Sequence, residues 1–382
     1  MAYEKGEAFE MAGESFVCFG YYGKQNLGDE AILASFLHEI EKYGHDRSRV
    51  RVATADRTDT VKRHGVIPIK RFSIFARVAA VMRSDHIVLS GGGWHFQKLW
   101  VASYAALTAL LAKLLGKSFS IICIGVEPIT RLSSRHLVRA ILGASDWVSV
   151  RDEESAQELL RTGASTRVVV AADPVFSEVY SKVAQSQQRV YRGPCSRPVI
   201  TVSLLDARGA KKYAAIREDY PSIVDGIVDR LDAEVVLVCT SPGEGDIEVA
   251  RYVQESCTCP DRVHIYECGE SLVDLMPVVA SSDLVVGMRY HALATAALAG
   301  VPFAAIARSP KVQSICDVLG QPVLAHVNCY DGDDIIEGVC ESFAQRQSLG
   351  KKLNERVPMM VDKYHSSMES WVRMLARRKA GA

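Results

Sequence analysis

An arginine and a histidine two residues apart, at the head of an alanine-rich run, form the most chemically suggestive pattern in this sequence. Val285-Val286-Gly287-Met288-Arg289-Tyr290-His291 leads straight into Ala292-Leu-Ala-Thr-Ala-Ala-Leu-Ala299-Gly300. The order predicts a buried strand feeding a helix that Gly300 ends. Arg289 and His291 then sit at the strand tip and the first helical turn, where the helix dipole favours anions. A guanidinium suits bidentate contact with phosphate or carboxylate, and an imidazole adds a proton donor. Two cations at a helix start repel each other unless an anion joins them, so the pattern points to an anionic ligand. Arg308-Ser309-Pro310-Lys311-Val312 repeats the theme one strand later. Ser309 and Pro310 read as N-cap and first helical residue. Lys311 adds a second basic group at a helix start, with an ordinary surface lysine as the alternative.

Three further segments could meet a ligand. Gly20-Tyr-Tyr-Gly23-Lys-Gln-Asn26-Leu-Gly28-Asp29-Glu30 lies between a predicted strand and helix. It is not a Walker A loop, because Asp29 and Glu30 stand where Lys and Ser/Thr are required. The acidic pair suits the helix dipole and would repel a phosphate on that turn. The segment reads as contacting a sugar hydroxyl, or equally as a tight turn capped by Asp29. Ser90-Gly91-Gly92-Gly93-Trp94-His95 leaves bare backbone at a strand's carboxyl end, with Trp94 and His95 able to meet a sugar ring. Gly23, Asn26, Asp29, Gly92, Gly93 and His95 are the residues of these two segments that could meet a sugar. In Ser149-Val-Arg151-Asp152-Glu153-Glu154, Asp152 reads as an N-cap and the glutamates suit the first helical turn. Arg151 stands on the strand tip, facing either a ligand or those acids.

These tips need a scaffold of strands alternating with helices. β-type runs fall at Phe16–Tyr21, Val50–Thr54, His86–Ser90, Ser120–Val126, Trp147–Arg151 and Val168–Ala172. They resume at Val199–Leu204, Glu234–Cys239, Val263–Tyr266, Asp283–Gly287 and Pro302–Ala307. Helical periods lie between them, as in Ile32, Leu33, Phe36, Leu37 and Ile40. Trp100–Leu115 is apolar almost all round and is expected to be buried. The alternation predicts an α/β protein with two Rossmann-like parallel-sheet domains, 1–181 and 199–348. The polar, proline-bearing stretch 182–198 is the expected linker. Residues 349–382 form an amphipathic helical tail through Leu353, Val357, Met360, Tyr364, Met368, Trp371 and Leu375, which Pro358 starts or kinks. Such a pair of halves places the ligand in the cleft between them.

Composition narrows the class. The 382 residues carry 45 basic and 45 acidic side chains, so no global charge draws the chain to nucleic acid, and no nucleic-acid partner is expected. The apolar stretch Ala105–Leu115 contains Lys113 and falls short of the roughly 20 residues that span a bilayer. Residues 1–14 hold four glutamates and one lysine, unlike a secretory signal. The ten cysteines read as reduced thiols of a cytoplasmic protein. Cys257, Cys259 and Cys268 lack a clear fourth ligand, so no metal is expected. Residues 351–382 carry eight basic and three acidic groups. They read as the solvated face of a helix, with contact to the inner face of a membrane as the alternative.

Taken in order, the segments resemble the polysaccharide pyruvyl transferase family. The resemblance rests on GYYGKQNLGDEAIL (Gly20–Leu33), SGGG (Ser90–Gly93), SVRDEES (Ser149–Ser155), ADP (Ala172–Pro174), GMRYHALATAALAGVP (Gly287–Pro302) and SPKV (Ser309–Val312). The chain departs from the family at Trp94–Lys98, Gly125–Pro128 and Arg308. The resemblance implies a GT-B-like fold, the N-terminal half taking the acceptor and the C-terminal half the donor. It implies transfer of the enolpyruvyl unit of phosphoenolpyruvate, a co-substrate, to two hydroxyls of a sugar, with no cofactor. The acceptor would be a lipid-linked or nucleotide-linked saccharide of a cell-surface or cell-wall polysaccharide. His291 would be the general acid, and Arg289, Arg151 and Lys311 would hold the donor. A nucleotide-sugar glycosyltransferase, with a nucleoside near Ser241–Gly245, and a non-catalytic sugar-binding protein are the rival readings. A homo-oligomer is compatible with all three.

Overall fold

The computed structural model describes residues 13–187, 197–206 and 214–380. Most of the expected linker, residues 188–196, lies outside the described residues, as do residues 1–12 of the N-terminal segment. Two compact units emerge. One holds the described residues up to Lys24, Asp29–Pro174 and Asp362 onward; the other holds Gln25–Gly28 and the described residues of Val175–Val361.

The first unit is built on β1 (Phe16–Tyr22), β2 (Val50–Thr54), β3 (Ile67–Lys70), β4 (His86–Leu89), β5 (Gly93–Trp94), β6 (Ser118–Val126), β7 (Trp147–Val150) and β8 (Val169–Val170). Its strand order is β3-β2-β1-β4-β6-β7-β8, with β5 joined to β6. All its pairings are parallel, as in Phe16↔Val50 and Phe16↔His86. Val17, Val88, Phe119 and Val148 are fully buried, since a parallel sheet is covered on both faces. β1 is followed by α1 (Leu27–Lys42), whose Ile32, Leu33, Phe36 and Ile40 form its buried stripe. The order in which strands are added switches sides between β1 and β4, and both glycine segments leave the carboxyl ends of those two parallel strands. Such a switch point is where open α/β sheets bind ligands.

The second unit repeats the plan. Its strands are β9 (Val199–Ser203), β10 (Glu234–Cys239), β11 (Val263–Glu267), β12 (Leu284–Gly287), β13 (Phe303–Ala307) and β14 (Val323–His326). They lie in the order β11-β10-β9-β12-β13-β14, all parallel. The switch falls between β9 and β12, paired through Gly287↔Ser203.

Two helices use their apolar residues in opposite ways. The C-terminal helix, Arg346–Ala380, runs unbroken past Pro358. In the first unit its Trp371 is buried beside Phe16 and Phe36 and donates from Nε1 to Ser120 Oγ at 3.0 Å. The apolar helix Leu99–Leu114 departs from expectation. It fully buries only small residues, Ala102, Ala105, Thr108, Ala109 and Ala112, packs Val101, Tyr104 and Leu111 partly against the core, and turns Trp100, Leu107, Leu110 and Leu114 outward. Alanines at that spacing let the helix lie close on its neighbours, which leaves the remaining bulky side chains on the outer face.

Candidate functional site

The fully buried strand β12 delivers the chain to Arg289, which caps α11 (Tyr290–Leu298) in extended conformation. α11 is buried nearly all round, and its alanines permit close packing. Gly300 closes it at φ +65°, a conformation that strains any side chain. The Arg289 guanidinium is buried and held from two sides: Nη1 donates to Glu244 and Nη2 to Asp246. Both acids follow β10. Glu244 ends the short turn Pro242–Glu244, and Asp246 opens the helix Asp246–Ser256. Asp246 also accepts from the Ser241 backbone N–H at 2.9 Å. Burial pushes the Asp246 carboxyl above its usual range, and Arg289 offsets this only in part. At the more exposed Glu244 the upward push of burial is overcome by Arg289, which holds the carboxyl below its usual range. Burial depresses the Arg289 pKa, but the two carboxylates raise it further, so the group stays charged. Its Nε has no hydrogen-bond partner among the described residues.

Arg289 therefore meets anions of the protein's own. Those partners were missed in the sequence, where Ser241–Gly245 figured only as the nucleoside site of the rival glycosyltransferase reading. The available signal was a pair of acids straddling Gly245 just past a strand.

His291 is half-buried in the first turn of α11, its ring edge-on to Tyr290 with centroids 5.2 Å apart. A side chain at Gly28 would start 1.7 Å from His291 Nδ1, so this glycine leaves the space that the imidazole fills. The segment that carries Gly28 is fixed by Leu27 N–H donating to Thr240 O at 3.1 Å and by Asn26 Oδ1 accepting from Gly28 N–H at 3.1 Å. Gly28 thus forms the imidazole's seat, and Asn26 holds the Gly28 backbone. Gly28→Ala is expected to displace the ring and cut turnover by about a hundredfold, the cost of a misplacement near 1 Å, with little loss of stability. Steady-state rates beside a thermal melt check this. Lys311 lies half-buried in the first turn of the helix Pro310–Leu319, after the neighbouring strand β13.

In the first unit, Asp29 and Gly92 come together: Gly92 N–H donates to Asp29 Oδ1 at 3.0 Å, tying the two glycine segments at the switch point. Glu30 accepts from Gly23 N–H at 2.8 Å and meets His64 Nε2 at 2.8 Å. Gly23, at φ +71°, packs so closely that a Cβ would lie 2.1 Å from Thr54 Oγ1. Gly93 has open space beside it. His95 is exposed and paired with Glu127 at 2.8 Å. Trp94 offers no platform to a sugar, for it is buried and stacked on Phe96 with centroids 5.6 Å apart. Arg151 lies against Gly125, buried between Asp152 and Asp173 at 3.2 Å each. Asp152 caps the helix Glu153–Leu160 by accepting from Ser155 N–H at 2.8 Å. Among the described residues no cluster of three or more His, Cys, Asp or Glu is gathered for a metal ion, and no helix is long and apolar enough to cross a membrane.

The sequence profile for polysaccharide pyruvyl transferase matches residues 26–310, most of the chain, with the Ser90–Gly93 and Arg289–His291 segments inside it. The chain belongs to the polysaccharide pyruvyl transferase family. None of the curated proteins compared with this chain matches it. Among solved structures it is similar to the UDP-GlcNAc 2-epimerase of Neisseria meningitidis bound to UDP-GlcNAc, at TM-score 0.63 and 12% identity, covering 95% of this chain and 100% of that one. A putative UDP-N-acetylglucosamine 2-epimerase of Listeria monocytogenes gives TM-score 0.61 at 12% identity, with 97% and 98% covered. Anabaena HepE in complex with UDP gives 0.59 at 13%, with 95% and 100% covered. At such identities the likeness concerns the fold alone. The chain shares the GT-B-like fold of two parallel-sheet α/β domains.

Proposed function

We propose that this enzyme transfers the pyruvyl unit of phosphoenolpyruvate to two hydroxyls of one sugar in a surface polysaccharide or its lipid- or nucleotide-linked precursor, forming a ketal. One observation carries the reading: an imidazole sits at the positive end of α11, two residues after Arg289, in a seat that Gly28 leaves open.

In this reading His291 gives a proton to the methylene carbon of the donor, and the neighbouring carbon becomes oxocarbenium-like. One sugar hydroxyl forms a C–O bond there. The second hydroxyl forms another as the bond to phosphate breaks. One hydroxyl proton replaces that given to the new methyl group, and the other leaves with phosphate. General-acid work of this kind contributes about 10²–10⁴-fold, and fixed charge beside the developing centre adds several kcal/mol. Asp246 fixes Arg289, while the more exposed Glu244 can swing to water and yield Nη1 to the donor. Lys311 takes the other anionic group. Arg151, already between two carboxylates, would serve the donor only by exchanging one of them. Gly93 and His95 are the acceptor candidates with free space or exposure, while Asp29, Gly92 and Gly23 shape the loops around them and Asn26 holds the Gly28 turn.

The test is phosphate release from phosphoenolpyruvate across a panel of lipid-linked and nucleotide-linked glycans, run beside UDP-sugars as donors. Phosphate release with a ketal in the product is expected. UDP release without phosphate would replace this reading by a glycosyltransferase, and binding without either by a sugar-binding protein.

A further inference from the structure

The outward face of the helix Leu99–Leu114 continues onto its neighbour Ile74–Met82. Trp100, Leu107, Leu110 and Leu114 recur at spacings of seven, three and four, which is one stripe of an α-helix. Phe75 is 89% exposed, Leu114 75% and Trp100 57%. The Phe72 and Trp100 rings meet at 6.2 Å and join the two helices' stripes. So large a run of exposed apolar side chains marks a contact surface rather than ordinary scatter.

Its charge says what it contacts. Residues 71–144, which comprise both helices and the adjacent helix Leu132–Ala144, hold nine basic and two acidic residues in a chain whose charges balance overall; Arg77 is buried and Lys117 lies 3.9 Å from Asp85, and a basic excess remains without them. The three helices contain no aspartate or glutamate at all. Exposed Lys98 and Arg131 stand at the N-caps of the second and third, adding positive charge to helix ends that are already positive. A second copy docked by two-fold symmetry would set this cationic face against itself. An anionic lipid surface complements both its charge and its apolar stripe. Aromatic and aliphatic side chains enter the acyl boundary while flanking cations meet the headgroups. The basic tail is less suited, for Arg378 is paired with Asp146, Lys379 with Glu14 and Arg373 with Glu369.

We infer that the face formed by Ile74–Met82 and Leu99–Leu114 docks the protein peripherally on anionic bilayers. Arg71 links that face to the strand ends, its guanidinium lying over both the Phe72 ring and the Tyr21 ring at the end of β1. Docking would thus bring the acceptor loops of the first unit to the lipid surface. The inference itself needs no donor or acceptor and stands apart from the proposed reaction.

The test is flotation of the full chain with vesicles of phosphatidylcholine plus phosphatidylglycerol, against phosphatidylcholine alone, with sedimentation velocity in parallel. Salt-sensitive binding to the anionic vesicles is expected. Phe75→Ser with Trp100→Ser should weaken it at least about tenfold, and Lys98→Gln with Arg131→Gln by about fivefold for each cation removed. All four side chains are exposed, so the variants should melt as the wild type does. Absence of vesicle binding, equal binding to neutral vesicles, or loss on Arg377→Gln but not on the face variants would overturn it. So would a dimer that Trp100→Ser dissociates in a protein that ignores vesicles.

Discussion

Replacement of His291 by glutamine should abolish phosphate release from phosphoenolpyruvate, by about 10²–10⁴-fold, and leave the fold intact. Glutamine can fill the space beside Gly28 and can hydrogen-bond, but it cannot deliver a proton as an acid. The hydrogen bond that His291 makes to Thr295 Oγ1 uses its backbone carbonyl and survives any substitution. His291 is half-buried, so the stability change should stay near the ordinary single-substitution cost of about 1 kcal/mol, too little to unfold the chain. His291→Ala sharpens the test, because it empties the seat that Gly28 leaves. Added imidazole should then recover part of the rate, whereas a purely structural histidine would show no such rescue. Near-normal ketal formation by either variant would remove His291 from the chemistry.

What could be read in the sequence was local. Arg289 and His291 were placed by a strand and a helix contiguous with them, and the Asp152 cap by its own next three residues. The order of strands and helices followed from short β-type runs alternating with helical periods, and the two sheets repeat it. Features depending on distant partners were hidden. Glu244 and Asp246 lie 45 and 43 residues from the arginine they hold, and Gly28 comes from the opposite end of the chain. β3 escaped notice because Pro68 interrupts its short run, which an edge strand tolerates. The helix Leu99–Leu114 misled through composition, since an apolar residue at almost every position hides which face is small and which is large. Alanine at 102, 105, 109 and 112 was the sign that the bulky face points outward.

The second large effect is expected from Arg289→Met, and it separates structure from catalysis. The variant leaves the Asp246 carboxylate, 1% exposed, with the Ser241 N–H and the Thr240 hydroxyl but no cation. Removing one partner of a buried ion pair costs about 3–5 kcal/mol, a large part of the roughly 5–15 kcal/mol that holds an ordinary domain together. Glu244→Gln should cost no more than about 1 kcal/mol, because that side chain is one-third exposed and water can replace the contact. Urea unfolding should rank the two in that order. Adding Asp246→Asn to Arg289→Met removes the stranded charge and keeps an oxygen for the Ser241 N–H, so most of the lost stability should return. Activity should not return with it. If the double variant regains phosphate release, Arg289 is a strut between two loops and the donor is held elsewhere. If Arg289→Met is as stable as the wild type, the pairing with Asp246 contributes nothing to the fold. A stable but inactive double variant is the outcome that assigns the guanidinium to the donor.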